Sequence, residues 1–221
     1  MRYAISRKWM GFSFLLLLSS LVSLAVLRWA PGYKNLVWLY IYSIPSHVYI
    51  SFLPHEPVLL YIGKMYNIVL VVIAAGLGTL VAGFIDYETL GLALKHRTIK
   101  NLYHNRAFYR KAVEWFYKAP FMVIFIAALT PIPYYPIKLL SIASEYPEGK
   151  YLCALSAGRI PRYFLLTYAG TALNIPNWIL LVLFIAMLLL AFAQRGARAI
   201  KNATTKIFKR PKRPAKEEVL S

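Results

Sequence analysis

Six ionisable side chains stand in or beside strongly apolar stretches of this chain: Glu56, Asp86, Glu88, Lys138, Arg159 and Arg162. A charge at the centre of a bilayer costs roughly 2.5–3.5 kcal/mol on insertion scales, so it is retained where it is paired or functional. Arg159 and Arg162 are spaced i, i+3 and share one face of a helix. Two chemistries fit them. They could pair with Asp86 and Glu56, or they could hold a phosphate, whose geometry suits a guanidinium fork. A desolvated carboxylate at such a place is also the kind of group a proton-coupled carrier uses. Structural ion pairing is the competing account for Asp86 and both arginines. Glu88 reads as an interfacial charge, Lys138 as a side chain that snorkels to the surface, with a pathway role as its alternative, and Glu145 and Glu148 as solvated.

The elements that must position these groups read as membrane-embedded. The 221 residues are 59% hydrophobic, with a mean hydropathy of +0.53, which is too apolar for an ordinary soluble domain of this size. Met10–Leu27 gives 18 uncharged residues and Ile175–Gln194 gives 20, each enough to cross a hydrocarbon core of about 30 Å. Arg28-Trp29 reads as an interfacial anchor, so the first span is expected to stay uncleaved. The net charge of +18 is unevenly spread, with seven positives in Lys95–Lys118 and nine in Arg195–Lys216. The positive-inside rule puts both termini and the Lys95–Lys118 stretch in the cytoplasm. Basic segments flanking spans account for the charge, so nucleic-acid binding is set aside.

With that orientation, Ile68–Ile85 runs inward, and Leu36–Ile62 must start and finish outside. A re-entrant hairpin does this, with its tip near Pro54 and Pro57. Phe121–Ser144 enters from inside and meets Pro131, Pro133 and Pro136 in "LTPIPYYPIKLL". Proline removes a backbone donor and restricts the residue before it, so three together favour a second hairpin tip over a kink. Tyr151–Gly170 crosses outward and Trp178–Gln194 returns. Residues 97–118 have the pattern of an amphipathic helix on the inner leaflet. The chain thus divides into an N-terminal transmembrane helix (1–35), a core (36–175), a last transmembrane helix (176–195) and a basic tail (196–221) expected to be disordered.

The two hairpins head units of similar plan. Pro54 precedes Asp86 by 32 residues and Pro131 precedes Arg162 by 31; Asp86-Tyr87 and Arg162-Tyr163 fall at equivalent places, and Gly91 and Gly170 close the units. Entering from opposite sides, they have the pattern of an inverted repeat, whose broken segments mark a transport site near the bilayer midplane. Irregular backbone is tolerated there where protein buries it or water reaches it.

Other chemistries find little support. Cys153 is the one cysteine, and the four histidines have no paired metal-ligand spacing. Gly76, Gly78 and Gly83 lack the spacing of a dinucleotide loop, and Ala75, Thr79 and Gly83 read as a small-residue stripe for close helix contact. Tyr134, Tyr135 and Tyr146 read as interfacial aromatics more simply than as cavity lining. Asn202-Ala-Thr204 is a glycosylation acceptor by pattern, on the wrong side of the membrane to be used. No nucleophile–base pair is visible, so no enzyme and no cofactor are expected.

Four segments together resemble the DedA superfamily, also called the VTT or SNARE-associated Golgi protein domain: "LPHEPVLLYIG", "GFIDYETLG", "TPIPYYPIKLL" and "GRIPRYFLLTYAG". They span roughly residues 36–175. The resemblance implies that Glu56 in the first hairpin and Asp86 before Tyr87-x-x-x-Gly91 matter for activity. Bacterial DedA proteins carry two arginines around the first proline of the second hairpin, where this sequence has Ala128 and Tyr134. It looks closer to the branch with "GR-x-x-RY", so Arg159 and Arg162 take their place. The family is linked to flipping or scrambling of phospholipids and undecaprenyl phosphate and to proton-dependent transport.

The expectation is therefore an all-α, polytopic membrane protein with two inverted re-entrant hairpins, in the plasma membrane of a prokaryote. It would move a phospholipid or polyprenyl phosphate, with membrane lipids and protons as its partners. Glu56, Asp86, Lys138, Arg159, Arg162, Tyr87 and Tyr163 would line the path. A small-solute or ion transporter of the same fold and a non-transporting scaffold are the alternatives.

Overall fold

The computed structural model describes residues 2–48, 53–95, 114–131 and 134–208. They form α1 (Arg2–Trp29), one 3-10 turn (Pro31–Tyr33), α2 (Lys34–His47), α3 (Glu56–Gly63), α4 (Ile68–Lys95), α5 (Pro120–Leu129), α6 (Tyr135–Ala143), α7 (Glu148–Ala172) and α8 (Asn177–Phe208). No strand occurs among the described residues, so the all-α expectation holds. Residues 114–118 are helical; the rest of the expected amphipathic helix, and Pro133, lie outside the described residues.

Prolines set where helices restart. Pro57, Pro120 and Pro136 sit in the first turns of α3, α5 and α6, where the missing N–H has no intrahelical acceptor to lose. Pro45 and Pro161 instead lie inside α2 and α7. The first break therefore runs from the end of α2 to Glu56, with Pro54 in it and Pro57 just past it. The second runs from Thr130 to Tyr134 and holds Pro131, with Pro136 just past it. At the far end, α8 continues to Phe208, into the stretch expected from composition to be a disordered tail.

Two apolar cores hold the bundle. Leu39 of α2, Leu59 and Ile62 of α3, Val71, Val72 and Ala75 of α4, and Tyr163 of α7 make one. Ile124, Ala127 and Ala128 of α5, Ile137 and Leu140 of α6, and Tyr151, Ala154 and Leu155 of α7 are in the other. Glycines on the long helices admit the short helix that precedes each break. A Cβ on Gly78 of α4 would lie 2.6 Å from Tyr40 O and from Ser43 Cβ, and one on Gly158 of α7 would lie 2.5 Å from Phe125 O. The helices after the breaks exchange partners: α3 packs on α7 at Gly170, against Leu60, and Ile142 of α6 meets Gly91 of α4. The small-residue stripe is buried as expected. Thr79 meets Tyr163, and Gly83 faces Leu152 and Leu155 of α7.

α1 joins through Phe12, which stacks on Phe84 at 4.1 Å. The outer faces are apolar: Phe14, Leu17 and Leu21 on α1 and Leu181, Val182 and Leu189 on α8 are exposed. Such continuous apolar surface suits hydrocarbon better than water. Trp9–Trp29 and Ile68–Leu92 are each long and apolar enough to cross a membrane.

α6 ends on Glu145, whose φ of 53° is left-handed. The Tyr146 N–H bonds Ser141 O at 3.1 Å, closing the helix end. A β-carbon there costs roughly 1–2 kcal/mol. Glu145→Gly is expected to stabilise the protein by about 1 kcal/mol, read as a higher Tm in detergent.

Candidate functional site

The two breaks and the middles of the two long helices converge on one polar cluster. α2 ends in His47 because Val48 turns extended, at φ −68° and ψ 137°, and the chain returns through buried Pro54 and His55 to Glu56 at the start of α3. α4 supplies Thr79 and Asp86, α6 supplies Lys138, and α7 supplies Arg159, Arg162 and Tyr163 along one face.

Asp86 and Lys138 form a sealed ion pair. Lys138 Nζ lies 2.5 Å from Asp86 Oδ2, with side chains only 5% and 1% exposed. The same ammonium donates to His47 O at 2.9 Å, so the pair ties α6 to α4 and to the end of α2. This corrects two expectations: Lys138 does not snorkel to the surface, and Asp86 is partnered by a lysine, not by an arginine. The physical reason is packing. α6 crosses α4 near Asp86, and Lys138 has no aqueous surface within its reach.

Glu56 and Arg162 do pair, as the spacing suggested. Arg162 Nη2 lies 2.5 Å from Glu56 Oε1, and Nη1 donates to Thr130 O at 3.0 Å. One side chain thus bridges the start of α3 and the end of α5. The pair is about one quarter to one third exposed, so its net contribution to stability is small, about 0–1 kcal/mol.

Arg159 is different. Its guanidinium stands over the Tyr134 ring, 5.1 Å from the centroid, and its Nη1 is buried without a hydrogen-bond partner. The two carboxylates nearest in the fold are already held by Lys138 and Arg162. A desolvated guanidinium nitrogen without an acceptor is costly. The cluster therefore carries one more fixed positive charge than negative, with the excess on Arg159. Tyr134 is thereby drawn into the site, where the sequence favoured an interfacial role.

A histidine network completes the cluster. His47 Nδ1 lies 2.7 Å from Ser43 O and 3.1 Å from Ser46 Oγ, and Nε2 lies 3.1 Å from Tyr163 Oη. That hydroxyl is 2.7 Å from Thr79 Oγ1. His55 Nε2 meets Ser43 Oγ at 2.9 Å, and the two imidazole rings are 4.5 Å apart edge to face. The sequence reading passed over both histidines because their spacing fits no metal motif. The signal that could have found them is their position, one on each side of a break in an apolar stretch.

The other expected residues are placed as follows. Tyr163 is in the cluster. Tyr87 is not: its hydroxyl donates to Tyr146 O at 2.6 Å and it packs against the second core. Pro54 and Pro57 are buried beside His55, whereas Pro131 is exposed and Pro136 half-buried. Among the described residues, no three His, Cys, Asp or Glu side chains gather as a metal site.

Comparison with curated proteins and with solved structures gives no significant match. The family model of the VTT domain matches residues 53–172, from the first break to the end of α7. That is more than half of the 221 residues, and it contains Glu56, Asp86, Lys138, Arg159 and Arg162. This chain, a membrane protein, belongs to the VTT domain family, the DedA superfamily domain.

Proposed function

We propose that this protein is a transporter that carries a lipid phosphate headgroup across the bilayer, with Arg159 as the group that engages the phosphate. The observation that carries this reading is the buried, unpartnered Nη1 of Arg159 among ion pairs that are otherwise balanced. A single fixed positive charge in a low-dielectric site calls for an anion, and guanidinium suits phosphate by charge and by fork geometry.

The two breaks act as re-entrant hairpins of an inverted repeat, entering from opposite sides of the membrane. Supporting this are the restarts at Pro57 and Pro136, the matched glycine contacts of α4 with α2 and α7 with α5, and the exchanged packing of α3 and α6. The basic flanks put both termini on the cytoplasmic side of a prokaryotic plasma membrane. Polar backbone at the breaks then lies where protein and headgroup can satisfy it.

The test is reconstitution into proteoliposomes with labelled phospholipid or labelled polyprenyl phosphate. Arg159→Gln is expected to reduce translocation about tenfold or more, the loss of a charge-assisted hydrogen bond. Equal rates for wild type and Arg159→Gln would sink the assignment. Substrate-driven proton movement without lipid translocation would instead favour a small-solute carrier of the same fold.

A further inference from the structure

We infer that His47 and His55 form a one-proton site linked to Arg159, so that a phosphodiester headgroup and a proton bind together. This rests on the anion-binding reading of Arg159 given above.

Both carboxylates of the cluster are engaged by cations, Asp86 by Lys138 and Glu56 by Arg162. The imidazoles are the remaining groups whose charge can change. The hydrogen bonds around His47 serve either of its charge states. In the neutral ring, Nδ1–H donates to Ser43 O while Nε2 accepts from the Tyr163 hydroxyl, which accepts from Thr79. In the imidazolium, Nε2–H donates to Tyr163 Oη, and the hydroxyl turns to donate to Thr79 Oγ1. The heavy atoms stay where they are, because each hydroxyl can reverse its role. The rings are 4.5 Å apart, so two imidazolium charges repel and the pair takes one proton.

The charges facing the pair come from every packed element. Lys138 and Arg159 face His47, and Arg159 and Arg162 face His55. Lys138 is offset by Asp86 and Arg162 by Glu56; the Tyr42 and Tyr163 hydroxyls are neutral. Arg159 is thus the uncompensated charge that opposes an imidazolium. An anion on Arg159 removes that opposition, and by reciprocity a proton on the pair tightens the anion.

The experiment uses the full chain in detergent, in weakly buffered solution with a pH indicator. The probe is short-chain phosphatidylglycerol, whose phosphodiester charge is constant between about pH 5 and pH 8. Binding is expected to take up as much as one proton per lipid. Affinity is expected to fall about tenfold per pH unit on the alkaline side of the transition, where the pair is neutral in the free protein. His47→Gln combined with His55→Gln should flatten that dependence and retain the weaker high-pH binding. Glycerophosphoglycerol, the same anion without acyl chains, is the second arm. Uptake with it assigns the linkage to the phosphodiester itself, and uptake with the lipid alone assigns it to a seated headgroup. Lipid binding without proton uptake anywhere in this range overturns the linkage and leaves the transport reading standing. No binding of either probe overturns both. The wild-type measurement decides the matter even where the double variant does not fold.

Discussion

Asp86→Asn is expected to destabilise the protein by about 3–5 kcal/mol, because it leaves the Lys138 ammonium buried without its carboxylate. The magnitude follows from burial, with the two side chains 1% and 5% exposed and 2.5 Å apart. An ammonium in that place keeps its bond to His47 O, but a carbonyl dipole does not replace a full charge. Adding Lys138→Met should recover most of the loss, since methionine fills a similar volume without a charge to desolvate. Chemical unfolding of the two single variants and the double variant in detergent measures the coupling directly. Additive losses would show that the pair does not act as a unit. Translocation by the double variant then separates two roles of the pair, holding α6 against α4 and handling the headgroup.

Gly170→Val should cost about 1–3 kcal/mol or more through overpacking. A Cβ at Gly170 meets Leu60 at its carbonyl oxygen, carbonyl carbon and Cα, and backbone cannot yield as the end of a flexible side chain can. α3 must move away from α7, and α3 begins at Glu56, the partner of Arg162. The substitution should therefore lower both the Tm and translocation. Gly76→Ala is the control: nothing lies within 4 Å of its Cβ, so it should be neutral or stabilising by up to about 1 kcal/mol. An unchanged Tm for Gly170→Val would show that α3 and α7 do not pack as closely as described.

Much of the frame was legible in the residues alone. Apolar length located α1 and α4, and the prolines located both breaks, because the loss of a backbone donor is a local property. The stripe of Ala75, Thr79 and Gly83 announced a close helix contact for the same kind of reason. Charge in apolar surroundings singled out Glu56, Asp86, Lys138, Arg159 and Arg162 before any geometry was known. The spacing even placed Glu56 with Arg162.

The partners of the remaining groups came from the tertiary structure. Asp86 and Lys138 are 52 residues apart, and their pairing depends on α6 crossing α4. Tyr87 and Tyr163 look equivalent along the chain, yet one caps a carbonyl in the α6–α7 link and the other joins two histidines. His47 and His55 stand eight positions apart, on no common helix turn, and meet because the chain folds back between them. Local sequence fixes where helices start, stop and turn apolar, since those costs are decided within a few residues. Which charge meets which is decided by distances across the packed bundle, and Arg159 is left over because the neighbouring carboxylates found other cations first.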